Sequence, residues 1–248
     1  MEAYVKHFKK DAIGFLEFGH PAGNSLPSEL LRELEQQLGL LSADSSVHVI
    51  VLQSAGSRAF CGGASLSEMK ELKNLEEATA FFMGFAQLIN RIRSLDKFII
   101  VRVHGKVVGG GVGLVAACDY AVALDSASVK LSELSIGIGP YVIEPAVSRK
   151  IGTTHFGLLS LDAHQWKSAS WAYQKGLYSQ ICSSEADLNQ TVEDIAQRLA
   201  GYPQQANATL RKLHWKDTAD WEILLPKNAE ITAKLALEKA TKDILKKL

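Results

Sequence analysis

Cysteine is scarce in this chain: Cys61, Cys118 and Cys182 are the full set, far apart and never in a C-x-x-C pair. Three thiols cannot close a paired disulfide framework, so a reducing compartment is expected. Neither sign of charge prevails. Lys plus Arg number 27 and Asp plus Glu number 27, a formal net charge of zero. That removes the long-range field used by a general nucleic-acid or membrane-surface binder; a local basic patch for one phosphorylated ligand needs few residues and stays open. Every apolar run meets Lys, Arg, His or Gly before reaching membrane-spanning length. Met1 to Lys10 is charged and has no apolar stretch, so no signal peptide and a cytoplasmic location are expected. The seven histidines form no H-x-x-x-H, which leaves no zinc spacing. There is no G-x-x-x-x-G-K-[ST] and no G-x-S-x-G, so a Walker nucleotide site and a serine-hydrolase elbow are both excluded.

What is present is an ordinary globular balance, 47% hydrophobic and 22% charged over 248 residues, enough for one large domain or one with a small appendage. Tyr4–His7 and Ile13–Phe18 read as a hairpin-like pair of strands. After the turn residues His20 to Asn24, Ser28 is expected to cap a helix with Leu30, Leu31, Leu34, Leu38 and Leu41 on one face. Val47–Gln53, Phe98–Val103 and Tyr120–Leu124 are buried strands, and Val129–Leu131 is a short one. A polar helical stretch carries Met69 and Leu72, and Phe81 to Leu95 is an amphipathic helix. Past Ile151 helices dominate. Asp187–Gly201 shows Leu188, Val192, Ile195 and Leu199 on one stripe, and Asn228–Leu248 places Ile231, Leu235, Leu237, Ile244 and Leu245 between lysines. The expected organisation is an α/β core over residues 1–190 and a helical region over 191–248.

Gly109-Gly110-Gly111-Val112-Gly113 is the strongest local signal. Adjacent glycines let a ligand press against main-chain N–H groups. Where they open a helix, those amides are unpaired and sit at the positive end of its dipole, which suits a phosphate or a developing oxyanion. Gly111 to Ala116 also matches G-x-G-x-x-A. Too few helical residues separate Gly113 from Tyr120 for a dinucleotide-binding crossover, however, so an NAD-linked dehydrogenase ranks low. Phe60-Cys61-Gly62-Gly63-Ala64 repeats the strand, glycine, helix order, and the two turns together point to two amide donors aimed at one oxygen. Glu133, after an apolar strand and before Gly137-Ile138-Gly139-Pro140-Tyr141, is the candidate acid or base: apolar surroundings raise a carboxyl pKa toward neutrality. His104, between a strand and Gly105, is expected to be a hydrogen-bonded structural histidine.

In order and spacing, His20-Pro21 through Asn24-Ser25-Leu26, Val49 to Leu52, Phe60 to Leu66, Gly109 to Gly111 with Cys118-Asp119, and Ser132-Glu133 resemble the crotonase (enoyl-CoA hydratase/isomerase) family over roughly residues 10–200. The resemblance implies an α/β spiral of ββα turns followed by a C-terminal helical trimerisation region, in a homotrimer or homohexamer. It implies an acyl-CoA substrate, with coenzyme A as part of that substrate and no separate cofactor, metal, nucleic acid or membrane partner. Carried over residue by residue, the oxyanion amides are those of Ala64 and Gly110, with Gly62, Gly63, Ala64 and Gly109 against the coenzyme A thioester arm. Glu133 matches the second of two glutamates that hydratases of the family use. Gly113 stands where the first would be and Ser65 where aspartate is common, so Tyr141 and Glu144 become candidates to supply a polar group to the acyl pocket. The Gly-Val-Gly-Leu-Val-Ala-Ala-Cys-Asp stretch with the later Pro140 and Pro145 looks like bacterial methylglutaconyl-CoA hydratases of leucine catabolism. Three functions follow as expectations: hydration of a 2-enoyl-CoA, isomerisation of an enoyl-CoA by the single carboxylate, or acyl-CoA binding without turnover.

Overall fold

A computed structural model of the chain describes residues 2–248; Met1, the head of the charged N-terminal stretch, lies outside them. Strands β1 (Tyr4–Lys10) and β2 (Ile13–Gly19) form the expected hairpin, turning at Asp11 with φ 53°. Helix α1 (Ser28–Ala43) follows, with the five predicted leucines buried. Ser28 is its first residue and not its cap: Pro27 holds that position, while the Ser28 N–H and hydroxyl both donate to the Glu68 carboxylate.

Three successive units then repeat one pattern. β3 (Val49–Ser54) with β4 (Ala59–Cys61), β5 (Phe98–Val103) with β6 (Lys106–Val108), and β7 (Tyr120–Leu124) with β8 (Ser128–Lys130) each send the first strand to one sheet and the second to another. Each pair is followed by helix: α2 (Leu66–Glu71) and α3 (Leu75–Ser94), then α4 (Gly110–Ala117), then a 3-10 turn (Glu133–Ile136) and α5 (Glu144–Leu161). The result is the expected spiral of ββα turns, with a six-stranded sheet in the order β1-β2-β3-β5-β7-β10 and a four-stranded sheet in the order β4-β6-β8-β9. The last members are β9 (Lys167–Ser168) and, after α6 (Ala169–Gln174), β10 (Gln180–Cys182). Both are strands in a region the sequence pattern assigned to helices. They are two and three residues long, and propensity has little to register at that length.

The main strands are buried on both faces, which explains why they read as largely apolar runs. Ile50, Leu52, Ile99, Val101, Ala121 and Ala123 face the layer of α1, α3 and α4. Their neighbours Val49, Val51, Ile100 and Val122 face α7 (Glu185–Gly201) through Leu188, Val192 and Ile195. A boundary at residue 190 therefore falls inside a helix that closes the second face of the sheet. The α/β core runs to Gly201, and the separate helical part is α8 (Gln204–His214), α9 (Trp221–Leu237) and α10 (Lys239–Leu245). The single helix expected over 228–248 is two, broken where Glu238 turns extended at ψ 143°. Its buried stripe also differs: Ala229, Thr232, Ala233 and Ala236 face inward, while Ile231 is 44% exposed.

One fully buried cation ties the helical part to the core. Arg211 on α8 donates to Asp119 at 2.9 Å and to the carbonyls of Ile92 at 2.7 Å and Arg93 at 3.1 Å, with Leu95 as a further acceptor. The guanidinium thereby caps the negative end of α3. Among the described residues no helix is long and apolar enough to cross a membrane.

Candidate active site

Two glycine-bearing turns meet beside the start of α4. The segment Gly62-Gly63-Ala64 is fixed against the chain near Leu26, where Leu26 N–H donates to Gly63 O at 2.8 Å and Ser65 N–H donates to Leu26 O at 3.2 Å. In a parallel bridge this turns the intervening Ala64 N–H to the opposite side, and it has no acceptor among the described residues. Gly63 sits at φ +83°, and a Cβ there would come within 2.9 Å of Val108 O and 3.5 Å of Gly110 N. The first turn thus packs directly on the second. Gly110 is the first residue of α4, so its N–H has no partner within the helix. Gly109, ahead of it, takes φ +53° and donates its own N–H to Lys130 O at 2.9 Å.

Glu133 follows β8 at the start of the 3-10 turn. Its carboxylate lies along the Gly109 backbone, where a Cβ would meet Oε1 at 2.9 Å, so a side chain at 109 would displace the acid. Oε2 is sealed from solvent and has no hydrogen-bond partner. Burial pushes this carboxyl up to about 7, opposed in part by hydrogen bonds from its own and the Ser132 backbone amides. A buried acid with one oxygen left free of partners is an available proton carrier at neutral pH.

These residues line one cavity of about 140 Å³ that opens to the surface, bordered by Gly62, Gly63, Ala64, Gly109, Gly110 and Glu133. The rest of its wall is mostly apolar: Leu66 and Met69 from α2, Phe82 and Phe85 from α3, Ile136 at the end of the 3-10 turn, Ile138 beyond it, and Val142 and Ile143 before α5. Thr232 comes from α9. Among the described residues, Glu133 is the only Asp, Glu, Lys, Arg or His along this wall.

Three candidates from the sequence lie elsewhere. Gly113 is buried in α4 and does not border the cavity; a Cβ on it would lie 2.5 Å from Ile143 Cβ. The space a longer side chain at 113 would need is filled by Ile143, which is itself part of the wall. Tyr141 is 40% exposed, and its ring packs over Gly139. Glu144 opens α5, where its carboxylate accepts from the Ser148 hydroxyl at 2.7 Å along the helix. Neither Tyr141 nor Glu144 borders the cavity. His104 is buried as expected of a structural histidine, yet neither ring nitrogen has a hydrogen-bond partner, and burial lowers its pKa. Phe82, Phe85, Ile143 and Thr232 are wall residues that no sequence motif marks. The spacing of Phe82 and Phe85 marks a helix face, but periodicity does not say what that face meets.

Comparison with known proteins gives consistent results. The family model described as Enoyl-CoA hydratase/isomerase matches residues 9–245. A protein of Bacillus subtilis (strain 168) named "Probable enoyl-CoA hydratase" is 31% identical over 202 residues, covering 81% of this chain and 78% of the relative. The "Short-chain-enoyl-CoA hydratase" of Clostridium acetobutylicum is 29% identical over 77% of this chain and 73% of its own length. Among solved structures, an enoyl-CoA hydratase from Bacillus halodurans superposes with a TM-score of 0.92 at 22% identity, over 99% of this chain and 100% of that one. At that identity the match speaks to the fold.

Proposed function

Because this chain belongs to the enoyl-CoA hydratase/isomerase family, we propose that it acts on an acyl-CoA thioester, with Ala64 and Gly110 holding the carbonyl oxygen and Glu133 moving a proton. The observation that carries this reading is a buried carboxyl oxygen, Glu133 Oε2, and two amides, all without partners among the described residues, around a single cavity. When a base removes a proton from the acyl chain of an enoyl thioester, negative charge gathers on the thioester oxygen. Fixed N–H dipoles aimed at that oxygen stabilise the enolate more than the substrate, which is the condition for lowering the barrier. The bare main chain at Gly62, Gly63 and Gly109 leaves room for the thioester arm to approach.

Of the family's two reactions, the geometry favours double-bond isomerisation. Moving one proton between two carbons of the same chain takes one carboxyl, and Glu133 is the one the cavity has. Ile143 fills the ground beside Gly113 where a second acid would stand. Hydration of a 2-enoyl-CoA is the second reading, favoured by the names of the relatives; methylglutaconyl-CoA enters here as one substrate to try. A homotrimer or homohexamer accords with Leu210, Leu213 and Ile223, apolar side chains left exposed on α8 and α9, and sedimentation would measure the mass.

The test supplies purified protein with 3-hexenoyl-CoA, crotonyl-CoA and methylglutaconyl-CoA in water labelled with oxygen-18. Isomerisation produces enoyl absorbance from the first without label in the product; hydration removes absorbance from the others and incorporates label. Glu133→Gln should lower either activity by about a hundred- to ten-thousandfold. No turnover of any of the three at high enzyme concentration, with binding retained, would leave acyl-CoA binding without catalysis as the function.

A further inference from the structure

We propose that the acyl pocket is built for a short, uncharged acyl chain of about four to six carbons counted from the thioester, judged by the handful of ring atoms that an apolar cavity of similar size admits. The inference rests on the acyl-CoA reading and adds the substrate class to it.

Size is the first ground. The cavity measures about 140 Å³, close to the roughly 150 Å³ apolar cavity that takes up benzene in an engineered protein. Part of that space belongs to the thioester carbonyl between Ala64 and Gly110, so only a few methylene groups remain to be housed. The wall is also poorly placed to retreat. Phe82 comes from α3 and Thr232 from α9, both nearly fully buried. The two helices are fastened to each other by the Arg93–Glu222 ion pair and by Asn90, whose amide donates to Trp221 O at 3.3 Å.

Chemistry is the second ground. No Lys, Arg or His borders the cavity, and its one charged group is an acid. The Thr232 hydroxyl already donates to Asn228 O at 2.8 Å within its own helix. A second carboxylate at the far end of an acyl chain would be buried without a cation and beside Glu133, an arrangement with a large desolvation cost. A chain ending in a methyl group meets Met69, Phe82, Ile136 and Ile143 instead.

Calorimetric titration of the intact protein with free coenzyme A and with acetyl-, butanoyl-, hexanoyl-, decanoyl-, pentanoyl- and glutaryl-CoA separates the outcomes. From two to six carbons, affinity should rise by about fourfold for each added methylene, and decanoyl-CoA should bind no tighter than hexanoyl-CoA. Glutaryl-CoA should bind at least thirtyfold more weakly than pentanoyl-CoA. Phe82→Ala removes a ring from the wall and should raise the affinity for decanoyl-CoA relative to butanoyl-CoA at least tenfold; if that variant does not fold, the unaltered protein's series decides. Decanoyl-CoA binding tenfold tighter than hexanoyl-CoA, or glutaryl-CoA matching pentanoyl-CoA, overturns the proposal while leaving the acyl-CoA reading intact. Thioesters binding no better than free coenzyme A would defeat both.

Discussion

Burial raises the Glu133 carboxyl to about 7, so the folded protein keeps a proton there that the unfolded chain releases near its ordinary value of 4.5. Between those two values stability falls as pH rises, and above 7 the loss levels off at about 3 kcal/mol. Glu133→Gln does not titrate. Chemical denaturation should therefore find it equal to the parent protein below pH 4.5 and more stable by up to that amount at pH 8, even as activity is lost; equal stability at pH 8 would show the carboxyl to be solvated. Activity runs the other way, because a base must be ionised: kcat/KM should drop about tenfold for each pH unit below 7. The neighbouring contact at Gly113 is equally specific. Gly113→Ala drives a methyl group into Ile143 and should cost about 1 to 3 kcal/mol of unfolding free energy. Ile143→Ala in the same chain should recover part of that loss, since the two sites share one volume.

The join between α8 and the end of α3 depends on Arg211. Arg211→Met leaves Asp119 without its guanidinium and three carbonyls without their donor, and removal of one partner from a buried pair costs about 3 to 5 kcal/mol. Urea midpoints should show it, with the Asp119→Asn, Arg211→Met double variant losing less than the sum of its parts. The elements differ in how plainly the sequence announced them. β3, β5 and β7 were readable because both faces are buried and their composition is mostly apolar, with only Gln53, Ser54 and Arg102 as polar members. The first turn of α3 was not: between Leu75 and Ala80 apolar residues are few, and its start is marked instead by Asn74, whose side chain accepts from Glu77 N–H at 2.9 Å. Pro226 inside α9 reads as a break in a sequence, yet tertiary packing carries the helix through it. The site divides the same way. Glu133 and the two glycine turns compress their chemistry into a few consecutive residues and could be recognised, whereas Ile143 and Thr232 gain meaning only from what the folded chain brings opposite them.

Across the whole molecule the cavity is assembled from nearly every layer: both glycine turns, α2, α3, the 3-10 turn, the segment before α5, and α9. Two of those walls are also held by α10. Thr241 donates to Gly137 O at 3.0 Å at the end of the 3-10 turn, and Lys242 donates to Leu72 O at 2.5 Å at the end of α2. A chain ending at Leu237 should retain most of its circular dichroism while binding butanoyl-CoA at least tenfold more weakly. If binding is unchanged, α10 is only an attachment to the surface. Protein chains emerge from the ribosome N-terminus first and begin to fold as they appear. Both sheets and both glycine turns can thus be complete while the clasp is still inside the exit tunnel. A nascent chain with the spiral already formed would still have a loose, wet pocket until α10 came free.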